Sequence, residues 1–333
     1  MHQPIQFQAD AMHDLVTVFG GSGFLGGQIV RALARQGLRV RVAVRQPHLA
    51  HRMRLLGDVG QIEVVQANLR NERSVQRALE GASACVNAVG ILYETGRQRF
   101  QTVHAMGARN LARISKACGV ARFVQISAIG ADLKSTSKYA VSKAMGEDAV
   151  REIYPDAVIL RPSVVFGAED GFFNLFASMA LISPALPLIG GGHTRFQPVF
   201  VGDVAKATAL AVTDPDLAGK TFELGGPATY SFREILELIL AEIGRQRFLI
   251  PLPFPLASVI GKLAGILALT PIAPPITEDQ VELLKSDNLA DHGLPGLAEL
   301  GIVATAVEPI IPTYLYRYRK GGQYADQATV MGA

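Results

Sequence analysis

Cysteine is scarce. The 333-residue chain has two, Cys85 and Cys118. Two thiols make no disulfide framework, and no Cys/His spacing matches a zinc site. Cys85 falls in an apolar strand pattern and Cys118 near a helix end, so both read as packing thiols in a reducing compartment. Charge is thin as well, at 18% of residues with a net of +3. That balance is too small to point to nucleic acid, and no block of like charges reads as an interaction tail. No apolar stretch reaches bilayer length without interruption. Met1 to Asp14 lacks both an apolar signal core and arginine, so it reads as neither a secretory signal nor a transit peptide, and Met12 is a second candidate start.

What remains is a compact, slightly greasy chain, 49% apolar, long enough for one full α/β domain and a smaller appended one. Its most specific feature is Val16-Thr17-Val18-Phe19-Gly20-Gly21-Ser22-Gly23-Phe24-Leu25-Gly26. Three glycines, Gly20, Gly23 and Gly26, follow an apolar strand and precede a helical pattern. Gly20 permits the tight turn and Gly23 removes the Cβ that would block phosphates. Gly26 lets the helix pack close, and the helix N-terminus faces the anion. Downstream, strand and helix alternate. Strands are expected at Leu15–Phe19, Arg39–Val44, Ile62–Gln66, Ala84–Val89, Arg122–Ile126 and Ala157–Leu160. Helices are expected at Phe24–Gln36, Glu72–Leu79, Phe100–Cys118 and Tyr139–Glu152. This predicts an α/β fold with a doubly wound parallel sheet of Rossmann type and a smaller C-terminal α/β region. The boundaries read as an extension over 1–13, the nucleotide domain mainly over 14–165, and the smaller domain with an interface tail mainly over 166–333.

The cofactor can be sharpened. NAD-binding folds usually end the second strand in an acidic residue that bonds the ribose 2′-hydroxyl. Here that strand ends in Arg45, whose planar donors suit a 2′-phosphate, so NADPH is favoured over NAD(H). A solvated basic surface shared with Arg52 and Arg54 is the plainer reading of the same residue. Asn68 is placed to reach the adenine, and Asn87 to Gly90 should pass along the cofactor. The expected lining is Gly20, Gly23, Phe24, Leu25, Gly26, Arg45, Asn68, Leu69, Ala88, Val89, Gly90, Ser127, Tyr139, Lys143, Pro162 and Val165. No metal ligand set is expected.

Tyr139 and Lys143 lie four apart on one helical face. A phenol titrates near about 10, and a neighbouring ammonium favours its phenolate. Such a pair can move a proton to or from a carbonyl oxygen, which Ser127 would polarise. Ser135 and Ser137 compete for that last role. Asp203 reads as a helix cap, Arg161 as support for a strand end, and His48, His51 and His193 as surface or loop residues.

Over residues 14 to 250 the chain resembles the extended and atypical short-chain dehydrogenase/reductases. The residues concerned are the G-x-x-G-x-x-G loop, Ser127, Tyr139, Lys143, Leu160 to Gly167 and Phe200 to Ala205. Within that group it is most similar to the NADPH-containing accessory subunit family of respiratory complex I, through Ser127 to Asp132, Ser135 to Glu147 and Gly192 to Val199. The resemblance implies a Rossmann subunit with a structural NADPH and a doubtful activity of its own. It implies docking with other complex I subunits on the peripheral arm, near the quinone-reaction region. It also implies a peripheral place on the cytoplasmic side of a bacterial inner membrane, or on the matrix side of the mitochondrial one.

Three segments beyond the motifs have two readings each. The loop with Phe196, Pro198 and Val199 reads as a rigid contact surface or a substrate lid. Leu256 to Leu269 is almost wholly apolar and reads as a core helix, or as one presented to a partner or a membrane surface. Tyr314 to Lys320 alternates tyrosine with cation and reads as an interface or headgroup strip, or as a solvated helix end. Three functions fit all of this: a non-catalytic NADPH-bound subunit, an NADP-dependent reductase or epimerase on a small or isoprenoid-like substrate, and a module that changes partners with nucleotide redox state.

Overall fold

The computed structural model of the chain describes residues 15–267 and 276–324. The expected extension at 1–13, the end of the Leu256–Leu269 segment and the last nine residues lie outside the described residues. In chain order the elements are β1 (Leu15–Phe19), α1 (Phe24–Arg35), β2 (Arg39–Val44), β3 (Ile62–Gln66), α2 (Glu72–Leu79), β4 (Ala84–Asn87), α3 (Gly107–Ala117), β5 (Arg122–Ile126), α4 (Lys138–Ile153) and β6 (Val158–Pro162). There follow β7 (Val165–Phe166), α5 (Phe173–Ile182), β8 (Ala185–Ile189), β9 (Arg195–Phe196), β10 (Val199–Phe200), α6 (Val201–Thr213), β11 (Thr221–Leu224), β12 (Tyr230–Ser231), α7 (Phe232–Glu242), β13 (Phe248–Leu252), α8 (Phe254–Leu267), α9 (Glu278–Leu283) and α10 (Pro312–Leu315).

Seven strands form one parallel sheet in the order β11-β6-β5-β4-β1-β2-β3. The period-2 alternation of side chains divides β1 between two cores. Val16 and Val18 pack with Ile29, Val30 and Leu33 of α1 and with Val204 and Val212 of α6. Phe19 turns the other way, toward Leu79 of α2, Leu111 of α3 and Val150 of α4. Covering on both faces explains why β1 is buried at every position and is apolar except at Thr17, whose hydroxyl donates to the Ala78 carbonyl at 2.8 Å. A third core gathers α5, α7, β8 and Tyr314 around Phe166, Phe173 and Phe232.

The helix expected over Phe100–Cys118 is not uniform. Gln101–Met106 is a π-helical turn leading into α3. Here α4 comes close: a Cβ on Gly146 of α4 would lie 2.5 Å from the His104 carbonyl oxygen. Such turns often occur at functional sites.

Three local expectations are corrected. Asp203 does not cap α6. Phe200 holds that position, and Asp203 lies fully buried inside the first turn, pairing with Lys206 and accepting the Thr305 N–H. Phe196 of β9, Val199 of β10 and Pro198 between them are buried core residues, neither lid nor contact surface. The tyrosine–cation segment at 314–320 folds back on the chain. Tyr314 is buried and donates to Asp170, Tyr318 donates to Asn174, and Arg317 and Arg319 reach Ala168 and Glu242. The alternation that resembles an interface serves here as an intramolecular clamp.

Arg161 does support a strand end. From β6 it forks onto Glu147 of α4 at 2.9 and 2.7 Å and reaches Glu223 of β11 at 3.2 Å. Glu147 is 1% exposed and Glu223 7%. Removing the shared cation leaves Glu147 with only Arg151 at 3.5 Å and Glu223 with only the Asp291 N–H at 2.9 Å, two buried carboxylates without their main counter-ion, which is costlier than losing a surface pair. Arg161→Ala should therefore destabilise the fold by about 3–5 kcal/mol, measured as a lowered urea midpoint at unchanged slope.

Candidate functional site

The strand order reverses between β4 and β1. In open α/β sheets the crevice at the carboxyl ends beside such a reversal is where ligands bind. The loop after β1 and the segment after β4 flank it. Gly20 has φ +79°, a conformation that favours glycine, and a Cβ there would meet the Ala88 carbonyl oxygen at 2.8 Å. A Cβ on Gly26 would lie 2.2 Å from the Gly20 carbonyl oxygen, so α1 starts against the loop itself rather than merely near the strand. Gly23 differs from both. A Cβ there would meet only the Gly20 carbonyl oxygen, at 3.4 Å, so its Cα faces open space. Gly23 caps α1 without a side-chain hydrogen bond, and the first turn has no acidic residue. The free N–H groups of that turn, beside Phe24 and Leu25, are open to an anion.

Around this cradle the expected residues fall as follows. Arg45 is exposed at the end of β2. Asn68 accepts the Arg70 N–H through Oδ1 at 3.1 Å, which ties that oxygen to its own turn, while Leu69 packs on Gly107. The Ala88 backbone abuts Gly20, and the Val89 N–H is held by Asn87 Oδ1 at 3.2 Å. Pro162 accepts the Ile129 N–H at the end of β6, and Val165 pairs with Val199.

The second half of the site surrounds α4. Lys143 Nζ donates to the Ile126 carbonyl at 3.2 Å and lies 5.8 Å from the centre of the Tyr139 ring. A Cβ on Gly90 would come within 3.8 Å of both Lys143 Nζ and His104 Nε2. Ser127, 3% exposed, has a buried Oγ with no partner among the described residues. Ser135 and Ser137 are absent from this constellation. The Ser135 hydroxyl accepts the Ser137 N–H, and Ser137 caps α4.

Two participants gave no local signal in sequence. His104 is buried; its Nε2 accepts the Ile91 N–H at 3.0 Å, which leaves Nδ1 to donate to Ser142 Oγ at 2.9 Å. Burial, then the charge of Lys143, pulls its pKa to about 2, so it is a neutral fixture. Asp279 of α9 accepts from Ser137 Oγ and from the N–H groups of Lys138 and Tyr139, at 2.9, 2.7 and 3.1 Å. A carboxylate from α9 thus completes the N-terminus of the helix bearing Tyr139 and Lys143.

The electrostatics run against an easy phenolate. Burial, then the charge of Asp279, pushes the Tyr139 phenol up to about 12. Burial pulls the Lys143 ammonium down to about 8, against the raising effect of Glu147. The residues present nevertheless fit a dinucleotide: a loop left open at Gly23, free helix N–H groups, and an orphaned Ser127 hydroxyl next in sequence to the Ile126 carbonyl that Lys143 holds.

The match with known proteins agrees with this geometry. The model of the NAD dependent epimerase/dehydratase family matches residues 16–225. The chain is 38% identical over 307 residues to the mouse mitochondrial protein named NADH dehydrogenase [ubiquinone] 1 alpha subcomplex subunit 9, covering 92% of this chain and 80% of that one. It is 34% identical over 245 residues to a ceramide reductase of Caulobacter vibrioides, covering 72% and 74%. A dTDP-glucose 4,6-dehydratase of Streptomyces venezuelae, solved with NAD bound, superposes with a TM-score of 0.68 at 19% identity, over 95% of this chain and 98% of that one. The chain belongs to the NAD dependent epimerase/dehydratase family and, within it, to the family of the complex I alpha subcomplex subunit 9 proteins.

The Lys143 environment sets a pH dependence. Between about 8 and 10.5 the unfolded chain holds this proton and the folded chain does not, so the lysine's contribution to stability rises with pH across that window. Below it, the folded state carries the full cost of burying the ammonium. Urea melts of nucleotide-free protein should show wild type gaining on Lys143→Met as pH rises from about 8 toward 10. A difference flat in pH would contradict the assignment.

Proposed function

We propose that the chain is an accessory subunit of respiratory complex I that holds NADPH as a fixed part of its fold and does not turn it over. The likeness to subunit 9 proteins over nearly the whole chain carries this reading. Gly20, Gly23 and Gly26 receive the pyrophosphate on the N-terminus of α1. Arg45 meets the 2′-phosphate that distinguishes NADPH from NADH. Asn68, Leu69, Ala88, Val89 and Gly90 line the adenosine and ribose path, and Lys143 with Ser127 receives the nicotinamide end.

One structural feature supports docking. Leu256, Val259, Ile260 and Leu263 of α8 are 52, 52, 41 and 62% exposed. They are spaced as one helical face, while Ala257 is buried and Gly261 presses on the backbone at Glu278. A self-contained enzyme has little use for a bare apolar face of this kind. In this reading α8 meets the rest of the complex near the quinone-reaction region of the peripheral arm and the membrane surface. No helix among the described residues is long and apolar enough to cross a membrane, which suits a peripheral place on the cytoplasmic or matrix side. The division of labour follows the chain: nucleotide mainly on 14–165, docking mainly on 166–333.

A second reading keeps the site active, as an NADP-dependent reductase. The orphaned Ser127 hydroxyl and the likeness to a protein named ceramide reductase favour it. Tyr139→Phe separates the two. Accessory function predicts near wild-type respiratory activity and assembly, whereas reduction predicts loss of NADPH oxidation with a carbonyl substrate. Arg45→Glu should weaken NADPH retention about 10- to 100-fold by removing charge-assisted hydrogen bonds, with assembly falling alongside. In a gentle-detergent pull-down the protein should bring down other complex I subunits, and recovery only as a free oligomer would contradict the proposal.

A further inference from the structure

Residues 167–174 make contacts that the dinucleotide reading does not use. Three loops at the carboxyl ends of the central strands meet this segment. After β1, the Phe24 ring lies 3.3 Å from where a Cβ on Gly167 would be. After β2, Arg52 forks onto Glu169, with both Nη–Oε distances 3.3 Å. After β4, Leu92 Cδ1 lies 3.9 Å from the corresponding point on Gly171. A segment touching the loops after β2, β1 and β4 crosses the crevice at the strand reversal.

Two neighbouring residues of this segment, Asp170 and Glu169, are held very differently. The root is buried. Asp170 is 4% exposed and accepts the N–H groups of Gly167, Phe172 and Asn174 at 3.1, 3.0 and 3.1 Å and the Tyr314 hydroxyl at 2.7 Å. Arg317 adds a bond to the Ala168 carbonyl at 2.8 Å, and Tyr318 one to Asn174 at 2.9 Å. The tip is exposed. Glu169 has its ion pair with Arg52, and both side chains are more than half open to water. A buried, fully bonded network is costly to break, whereas an exposed ion pair opens readily.

We propose that residues 167–174 are a strap over the dinucleotide crevice, rooted by the C-terminal turn through Tyr314 and latched by Arg52–Glu169, and that this latch sets how fast the nucleotide leaves. The proposal rests on the nucleotide-binding reading. It gives the tyrosine–cation segment a purpose: Tyr314, Arg317 and Tyr318 pin the backbone on both sides of Glu169, so that opening the latch moves only the exposed Arg52 and Glu169 side chains. Arg52 also keeps the Glu169 carboxylate from facing an anionic ligand unneutralised.

The test is the release rate of bound NADPH from the full chain, followed by its fluorescence after adding excess NADP. Glu169→Gln should release about threefold faster, even though it removes a negative charge near an anion. Arg52→Glu should release faster still, and Arg52→Glu combined with Glu169→Arg should return to within about twofold of wild type. Tyr314→Phe should also speed release by loosening the root. Because it touches a buried network, the latch variants decide the matter. Wild-type protein that retains NADPH, with release unchanged by Glu169→Gln and unrestored by the charge swap, would overturn the strap alone. Wild-type protein that binds no NADPH would overturn the nucleotide reading, and the strap with it.

Discussion

The structure turns on one close approach. At Gly26 there is room for a hydrogen and nothing larger, because a Cβ would lie 2.2 Å from the Gly20 carbonyl oxygen. That contact lets α1 begin directly against the loop, with Gly20 wedged on the Ala88 backbone and the Gly23 side left open. The end of β1, the segment after β4 and the start of α1 become one rigid piece beside the strand reversal. In the proposed reading, this approach is what turns the free N–H groups of α1 toward the crevice and gives Arg45 and Lys143 a common ligand to serve.

The second organising relation joins distant parts of the chain. Asp279 of α9 finishes the N-terminus of α4, and α9 packs on α8 through Gly261. The bare apolar face of α8 is therefore one helix away from Tyr139 and Lys143. In the proposed reading, docking and nucleotide binding share a scaffold. A ligand that binds only the folded state stabilises it by mass action, so a held nucleotide can support assembly with no turnover.

Much of the fold of the first half was legible because its signals are local. The strand–glycine–helix run and the placement of Tyr139 and Lys143 one turn apart on one helix each lie within a few residues, and β1, β2, β3, α2 and β5 fall where the hydrophobic pattern puts them. The rest depends on partners far apart in sequence. Nothing near Asp279 announces that it caps a helix beginning at Lys138, and nothing near His104 announces Ile91 and Ser142. Tyr314–Lys320 was ambiguous for a physical reason: alternating ring and cation suits a foreign surface and the chain's own Asp170, Ala168 and Glu242 equally well. The long apolar segment showed its composition but not which face α9 would cover.

The claim that the nucleotide is a structural part and not an electron carrier is tested most directly by its redox state in working complexes. Nucleotide would be extracted by rapid quench from purified complex, at rest and during steady respiration, and identified with its stoichiometry to this chain. The account predicts one NADPH per chain, reduced to the same extent in both states. A nucleotide that cycles between oxidised and reduced forms with respiration, or a complex that carries none, would contradict it.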